Sequence, residues 1–367
     1  MSSEHHCILV TSTAYRKDVL NLLCLPEGID YRFRYRARWI SKELFENPSV
    51  LKGMRGTIAY FYGSQADEQS VEFLPIREVV IEDVETLGDI LHVRFSTGKF
   101  YDQSSWSGGQ HPNPLSGPVE AVVAPFLQTS APRMSRLLVI SDFHPLPIGT
   151  NQLLSWSSLV QWLSDLKPFQ GASFLKTIRL IDSNRTEIQP SVLVSKSGVA
   201  LRGYKLRGGA TYQIELLQRT KDDIRLIEPF EIVMKTPESL IPIKNAAVVG
   251  KYDKLELIFS VKPQLDNVYS SVTIQAKGDP TAWIPTKDTG DAKVNVESPE
   301  IQLSIKIGRI RHVLPIALIT LGIVFAPFAS ALNRFWVLGL SDLQLSIVSA
   351  LGVLLVAGGI SIFRKVF

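Results

Sequence analysis

The pattern with the most direct chemical meaning is Tyr31-Arg32-Phe33-Arg34-Tyr35-Arg36-Ala37-Arg38-Trp39, in which cations alternate with apolar, mostly aromatic residues. Successive side chains of a strand point to opposite faces, so the run predicts Arg32, Arg34, Arg36 and Arg38 on one face and the rings on the other. Side chains two apart on a strand repeat every ~6.6 Å. At that spacing a guanidinium row can follow a nucleic-acid backbone, grip a nucleotide phosphate or meet an acidic patch on a partner. The plainer alternative is an edge strand kept from aggregating by its charge, with ion pairs to Glu43, Glu72 or Glu78.

Other chemistry-bearing residues are scattered. Ser96-Thr97-Gly98-Lys99 ends like a phosphate-binding loop but lacks the glycine five positions before Gly98. No G-x-S-x-G or H-E-x-x-H run occurs. His5, His6 and Cys7 are adjacent, so in an extended terminus they point apart and make a poor metal site. Asp142-Phe143-His144 reads as a polar turn before Pro145 and Pro147. Cys7 and Cys24 are the only cysteines, which excludes a disulfide scaffold and a cysteine-only zinc site. We therefore expect no catalytic residues, no bound metal and no cofactor. An enzyme with an unrecognised site in residues 1–180 is kept as an alternative.

The 39 Lys+Arg nearly balance 35 Asp+Glu, a formal charge of +4 over 367 residues. So small a charge speaks against a large nucleic-acid footprint and against a charge-rich disordered chain. A small anionic signal or a cytosolic sensor protein is the favoured partner of the arginine row. Direct nucleic-acid binding is the less favoured reading.

The elements that must position this row are mainly strands. Residues 1–120 read as a β-rich recognition domain, with strands at Cys7–Thr11, Tyr31–Trp39, Gly56–Tyr62, Val71–Ile81 and Ile90–Phe95. Asp102–Pro118 is dense in Ser, Gly and Pro and reads as a loop. Residues 121–184 form a mixed connecting region holding a helix at 151–167. Thr150 or Asn151 can cap it, apolar residues recur from Leu153 to Leu166, and Pro168 stops it. Residues 185–308 carry seven short strands, at 192–194, 199–201, 211–218, 230–234, 254–261, 271–276 and 300–307, and predict an immunoglobulin-like sandwich.

The mean hydropathy of +0.12 is raised by the C-terminal part. Val313–Leu332 and Leu343–Phe363 carry no charge, and each is long enough to cross ~30 Å of hydrocarbon as a helix. They predict two transmembrane helices in 313–363. Lys306, Arg309, Arg311, Arg364 and Lys365 flank the pair, against Arg334 alone in the connector, which places both termini in the cytoplasm and the protein in the inner membrane. The N-terminus offers no apolar signal segment. Gly322, Ala326 and Ser330 on the first run, with Ser346 and Ala350 on the second, form small-residue rows for hairpin packing or for homo-oligomer assembly in the bilayer.

In domain order alone, a cytosolic recognition part followed by these two apolar runs resembles the membrane effectors of bacterial antiphage conflict systems. That resemblance implies an effector that oligomerises when activated and disrupts the inner membrane, ending in abortive infection. A passive tether that recruits a partner to the bilayer is the alternative.

Overall fold

The computed structural model describes residues 5–12, 15–62, 72–102, 136–140, 148–169, 172–195, 198–219, 231–237, 239–241, 247–248, 254–264, 266–277 and 299–308. It also describes helical residues 319–321, 323, 347, 350–354 and 356–357. The chain separates into a large unit (1–206, 210–262 and 269–307) and a small one (207–209, 263–268 and 308–367).

The large unit is mainly β, and its described strands form three sheets. In the first, the order is β2 (Asp30–Arg36), β5 (Ile90–Phe100), β4 (Glu72–Leu87), β3 (Arg55–Tyr62), β1 (His6–Ser12) and β6 (Leu137–Ile140). β1 and β3 are parallel, and the other pairings are antiparallel. β1 is apolar from Cys7 to Val10 and buried throughout that stretch, as a strand paired on both sides requires. Helix α1 (Arg16–Cys24) follows it and buries Val19, Leu20, Leu22 and Leu23.

This sheet is curled. Four strand spacings separate β2 from β1, about 19 Å if the sheet were flat. Yet the Tyr35 hydroxyl on β2 donates to the Val10 carbonyl on β1 at 3.4 Å, and the Arg136 N–H donates to the Trp39 carbonyl at 2.8 Å. The two sides of the sheet are thereby brought within one side-chain length of each other.

Helix α2 (Lys42–Glu46) is capped by Ser41. Helix α3 (Gln152–Asp165) starts where the sequence indicates: Asn151 Oδ1 accepts from the N–H groups of Leu153 (3.1 Å) and Leu154 (3.3 Å). Its Trp156 is fully buried and donates to the Leu23 carbonyl at 3.1 Å, tying the helix to α1.

The second sheet has the order β13 (Lys254–Ser260), β10 (Thr211–Arg219), β7 (Phe174–Asp182). The third has β12 (Ala247–Val248), β11 (Glu231–Lys235), β14 (Val268–Lys277), β15 (Glu300–Gly308), β9 (Ala200–Arg207), β8 (Ser191–Val194). Alternation is legible here: Leu255, Leu257 and Phe259 are buried, as are Tyr212, Ile214 and Leu216 on the partner strand. β7 falls within the stretch read from sequence as the connecting region, yet it pairs along its length with β10. An ionic junction ties the third sheet to the first. Asp30 Oδ2 accepts from the Arg202 N–H (2.9 Å) and from Arg94 (3.0 Å), and Arg202 Nε reaches Glu82 at 2.9 Å.

The C-terminal expectation is corrected. Among the described residues no helix is long and apolar enough to cross a membrane, and this overturns the multi-pass inner-membrane localisation. The physical reason is that an uncharged run crosses a bilayer only as one continuous helix of ~20 residues. The helical residues described in the small unit fall far short of that. Most of Val313–Leu332 and Leu343–Phe363 lies outside the described residues, as do Gly322, Ala326, Ser330, Ser346, Arg309, Arg311, Arg364 and Lys365. Ala350 is a helical, exposed residue, and Lys306 lies on β15 with its ammonium 5.1 Å from the Tyr269 ring centroid.

Candidate anion-binding seam

The arginine run folds as an edge strand. Among the described residues β2 pairs only with β5, and its burial follows the alternation: Phe33 and Tyr35 are buried while Arg32, Arg34 and Arg36 are exposed. The rings stack inward, Tyr31 on Phe33 at 6.0 Å, Phe33 on Tyr35 at 5.9 Å and Phe33 on Phe95 at 5.1 Å. This aromatic column fixes the register and so fixes the arginines on the opposite face. Arg38 departs from the expected row. β2 ends at Arg36, and Ala37–Trp39 turn as a 3₁₀ segment that places the Arg38 guanidinium 5.4 Å from the Trp39 ring.

The expected ion pairs with Glu43 or Glu78 are not among those formed by described residues, nor do Arg32, Arg34 and Arg36 have any among them; the Glu72 side chain lies outside the described residues. Cross-strand neighbours add no acid, since Arg32 faces Arg94 and Arg34 faces His92. Arg94 is already held by Asp30 (3.0 Å) and Asp83 (3.5 Å).

A cleft opens where β6 stops covering β1. β6 pairs with His6–Leu9, and one further bond runs from the Val10 N–H to the Arg136 carbonyl. Beyond that point Val10 and Thr11 face Arg34 and Arg36 across a gap walled by Tyr15, Tyr35, Trp39 and Arg136. Its enclosed part is only about 20 Å³, room for one water-sized group. The Arg136 guanidinium lies 4.7 Å from the Trp39 ring and 5.3 Å from the Tyr15 ring, so it is oriented by two aromatic faces. Asp18 is the acid of the cleft, and it accepts from the Tyr31 hydroxyl at 2.8 Å. Three guanidiniums against one carboxylate leave a local excess of two positive charges. Burial, helped by the Asp18 charge, pushes the Tyr31 phenol up, and burial does the same to Tyr35. Both rings therefore stay neutral donors.

Thr11 completes the site. It is 2 % exposed, and its Oγ1 is buried with no hydrogen-bond partner. Leaving such a hydroxyl unpaired costs roughly 1–3 kcal/mol, which a bound acceptor or donor would recover.

A second cation–aromatic cluster lies in the core. Arg77, 1 % exposed, donates to the carbonyls of Leu22 (2.8 Å), Leu25 (3.0 Å) and Gly98 (3.0 Å from Nε). A Cβ on Gly98 would stand 2.8 Å from Glu78 Cβ, so only glycine lets that carbonyl come close. Arg77 and Lys176 both approach the Phe100 ring, at 4.4 and 4.3 Å. Burial pulls Arg77 down to about 9, and burial together with the Arg77 charge pulls Lys176 down to about 7.

His6 is bonded to Thr57 Oγ1 at 2.8 Å and pulled down to about 4 by burial and then by Arg55. Among the described residues no group of His, Cys, Asp and Glu is arranged to hold a metal. Asp142, Phe143 and His144 lie outside the described residues. Sequence reading missed Thr11, Tyr15 and Arg136, since they come from separate segments and share no local pattern. No known protein-family model matches the chain, and no curated protein is significantly similar to it in sequence.

Proposed function

We propose that this protein is a non-catalytic recognition protein whose curled N-terminal sheet receives an anionic group of a ligand or partner at the β1–β2 seam. The observation that carries the reading is the unpartnered, buried hydroxyl of Thr11, a residue lining the same cleft as two exposed arginines of β2 that have no ion pair among the described residues. Arg136, pinned between two rings, adds a third cation whose orientation is already set. Preorganised guanidiniums bind carboxylate and phosphate oxygens at little entropic cost.

We read the second and third sheets as an immunoglobulin-like sandwich that carries this site. Support comes from their antiparallel pairings and from strands that each bury one face. The Asp30–Arg202–Glu82 junction fastens β2 to that support. No membrane-crossing step belongs to the proposal.

The test is calorimetric titration of the whole protein with inorganic phosphate and with a dicarboxylate at low salt. Binding that weakens about tenfold in Arg34→Gln/Arg36→Gln, and weakens as salt is raised, supports the reading. Unchanged binding in that variant, or none of either anion by the parent, removes it.

A further inference from the structure

We infer that the natural occupant of the seam is an extended peptide with acidic residues at every second position, which adds a strand to the free edge of β2. The inference rests on the anion-binding reading above and names its ligand.

The argument begins with the ladder. The Thr97 N–H donates to the Ile29 carbonyl at 3.0 Å, and the Ala37 N–H donates to the Asp89 carbonyl at 2.7 Å. These bonds mark 29↔97 and 37↔89 as hydrogen-bonded pairs in the register that runs from Asp30↔Ser96 to Arg36↔Ile90. Hydrogen-bonded pairs alternate along an antiparallel ladder, so Tyr31, Phe33 and Tyr35 turn their backbone groups toward β5. Arg32, Arg34 and Arg36 then turn theirs outward, away from the sheet. The residues with free backbone groups are thus the same residues with exposed guanidiniums.

This coincidence selects a partner class. A strand added to β2 would take main-chain hydrogen bonds from the arginine positions and face the guanidinium row with alternate side chains. Carboxylates at those alternate positions satisfy the row. The cleft agrees, because it is bounded by residues from both faces of β2, Phe33 and Tyr35 as well as Arg34 and Arg36. An opening of that kind lies along a strand edge. The cleft has room for the tip of one side chain against Thr11 and Arg136. Edges are commonly blunted by charge, but an unmatched row of one sign repels a second copy of itself while attracting its complement.

The experiment selects from a displayed library of random peptides about six residues long, the usual length of a strand. Those retained by the full-length protein and lost on Arg34→Gln/Arg36→Gln are sequenced. The expected set carries Asp or Glu at alternate positions. In the antiparallel added strand those acidic residues lie opposite the arginines in hydrogen-bonded pairs. N-methylation of their amides weakens a selected peptide at least about tenfold by removing ladder bonds, while N-methylation at the intervening positions does not. Thr11→Val is expected to weaken it several-fold. Acidic residues without alternation, or indifference to N-methylation, overturn the added strand while leaving an anion site. So does tighter binding of a single-stranded oligonucleotide of equal charge. Retention of no peptide together with binding of inorganic phosphate also sinks the strand alone, and binding of neither sinks both readings.

Discussion

Two clusters in this protein bring guanidiniums against aromatic rings, and they have opposite relations to solvent. In the core, Arg77 points its donors at the carbonyls of Leu22, Leu25 and Gly98, and Phe100 lies against it. At the seam, Arg34 and Arg36 stand exposed with no ion pair among the described residues, and the nearby Thr11 hydroxyl is unpartnered. The first cluster is complete in itself. The second has capacity left over. Cation–aromatic packing by itself therefore says little about function; what separates a structural cluster from a receptive one is whether the donors are already used.

The largest effect expected on this comparison comes from Arg77→Met. Three buried carbonyls lose their donor at roughly 1–3 kcal/mol each, offset in part because a charge is no longer buried. The loss approaches the whole stability of a marginal domain, and chemical denaturation should show it. Lysine should fail to rescue, since a single ammonium cannot span carbonyls from the end of α1 and from β5. A variant as stable as the parent would end the structural reading of the core cluster.

Next in size is Arg34→Gln/Arg36→Gln. Acetate or phosphate binding should fall about tenfold while the melting temperature stays within a degree or two, because exposed charges hold little folding energy. A large fall in melting temperature would make the row structural after all.

Lys176 gives a pH signature. Its folded pKa, about 7, lies below the ordinary 10.5 of a lysine in the unfolded chain, so between those values the unfolded state holds the extra proton. Stability should rise as pH climbs above 7. From about 9 the trend reverses: burial raises the thiols of Cys7 and Cys24 and the phenols of Tyr31, Tyr35, Tyr101 and Tyr204. The unfolded state loses these protons first, and together they outweigh Lys176 and the lowered Arg77. Denaturant midpoints across pH 6–10 should thus pass through a maximum, and Lys176→Met should flatten the rising limb. A monotonic parent profile would contradict this.

The smallest effect is Thr11→Val. Removing an unpartnered buried hydroxyl should raise stability by about 1 kcal/mol while weakening anion binding. Lost stability would mean that the hydroxyl is satisfied within the protein.

Legibility in the sequence followed locality. The alternation of β2, the capped helix α3 and the short strands β8, β9, β10, β11, β13, β14 and β15 each rest on near neighbours and were readable, whereas β7 and the two-residue β12 were not read. Arg38 was misplaced because the strand ends one residue before Ala37, a choice made by the Ala37–Asp89 bond to a distant turn. α1 and β6 were missed, the first because RKDVLNLLC is short and half polar, the second because it is four residues long. The seam was out of reach. Thr11, Tyr15 and Arg136 meet β2 only because the sheet curls, and curl is set by packing across many strands. The apolar C-terminal runs misled in the other direction, since an apolar run marks a span only where it forms one long helix, and no such helix occurs among the described residues.

One fastening has a consequence for synthesis on the ribosome. Asn21, on α1, accepts the backbone N–H of Glu300 on its Oδ1, while Lys17 pairs with the Glu300 carboxylate at 2.8 Å. The same Asn21 donates to Tyr31, whose hydroxyl holds Asp18. With 279 positions between the partners and translation at about 5–20 residues per second, α1 waits roughly 15–55 s for its last anchor. The nascent chain thus emerges with its binding edge laid down early and its support finished late. Until β15 arrives, the arginine strand can meet acidic surfaces on a sheet whose support is still incomplete.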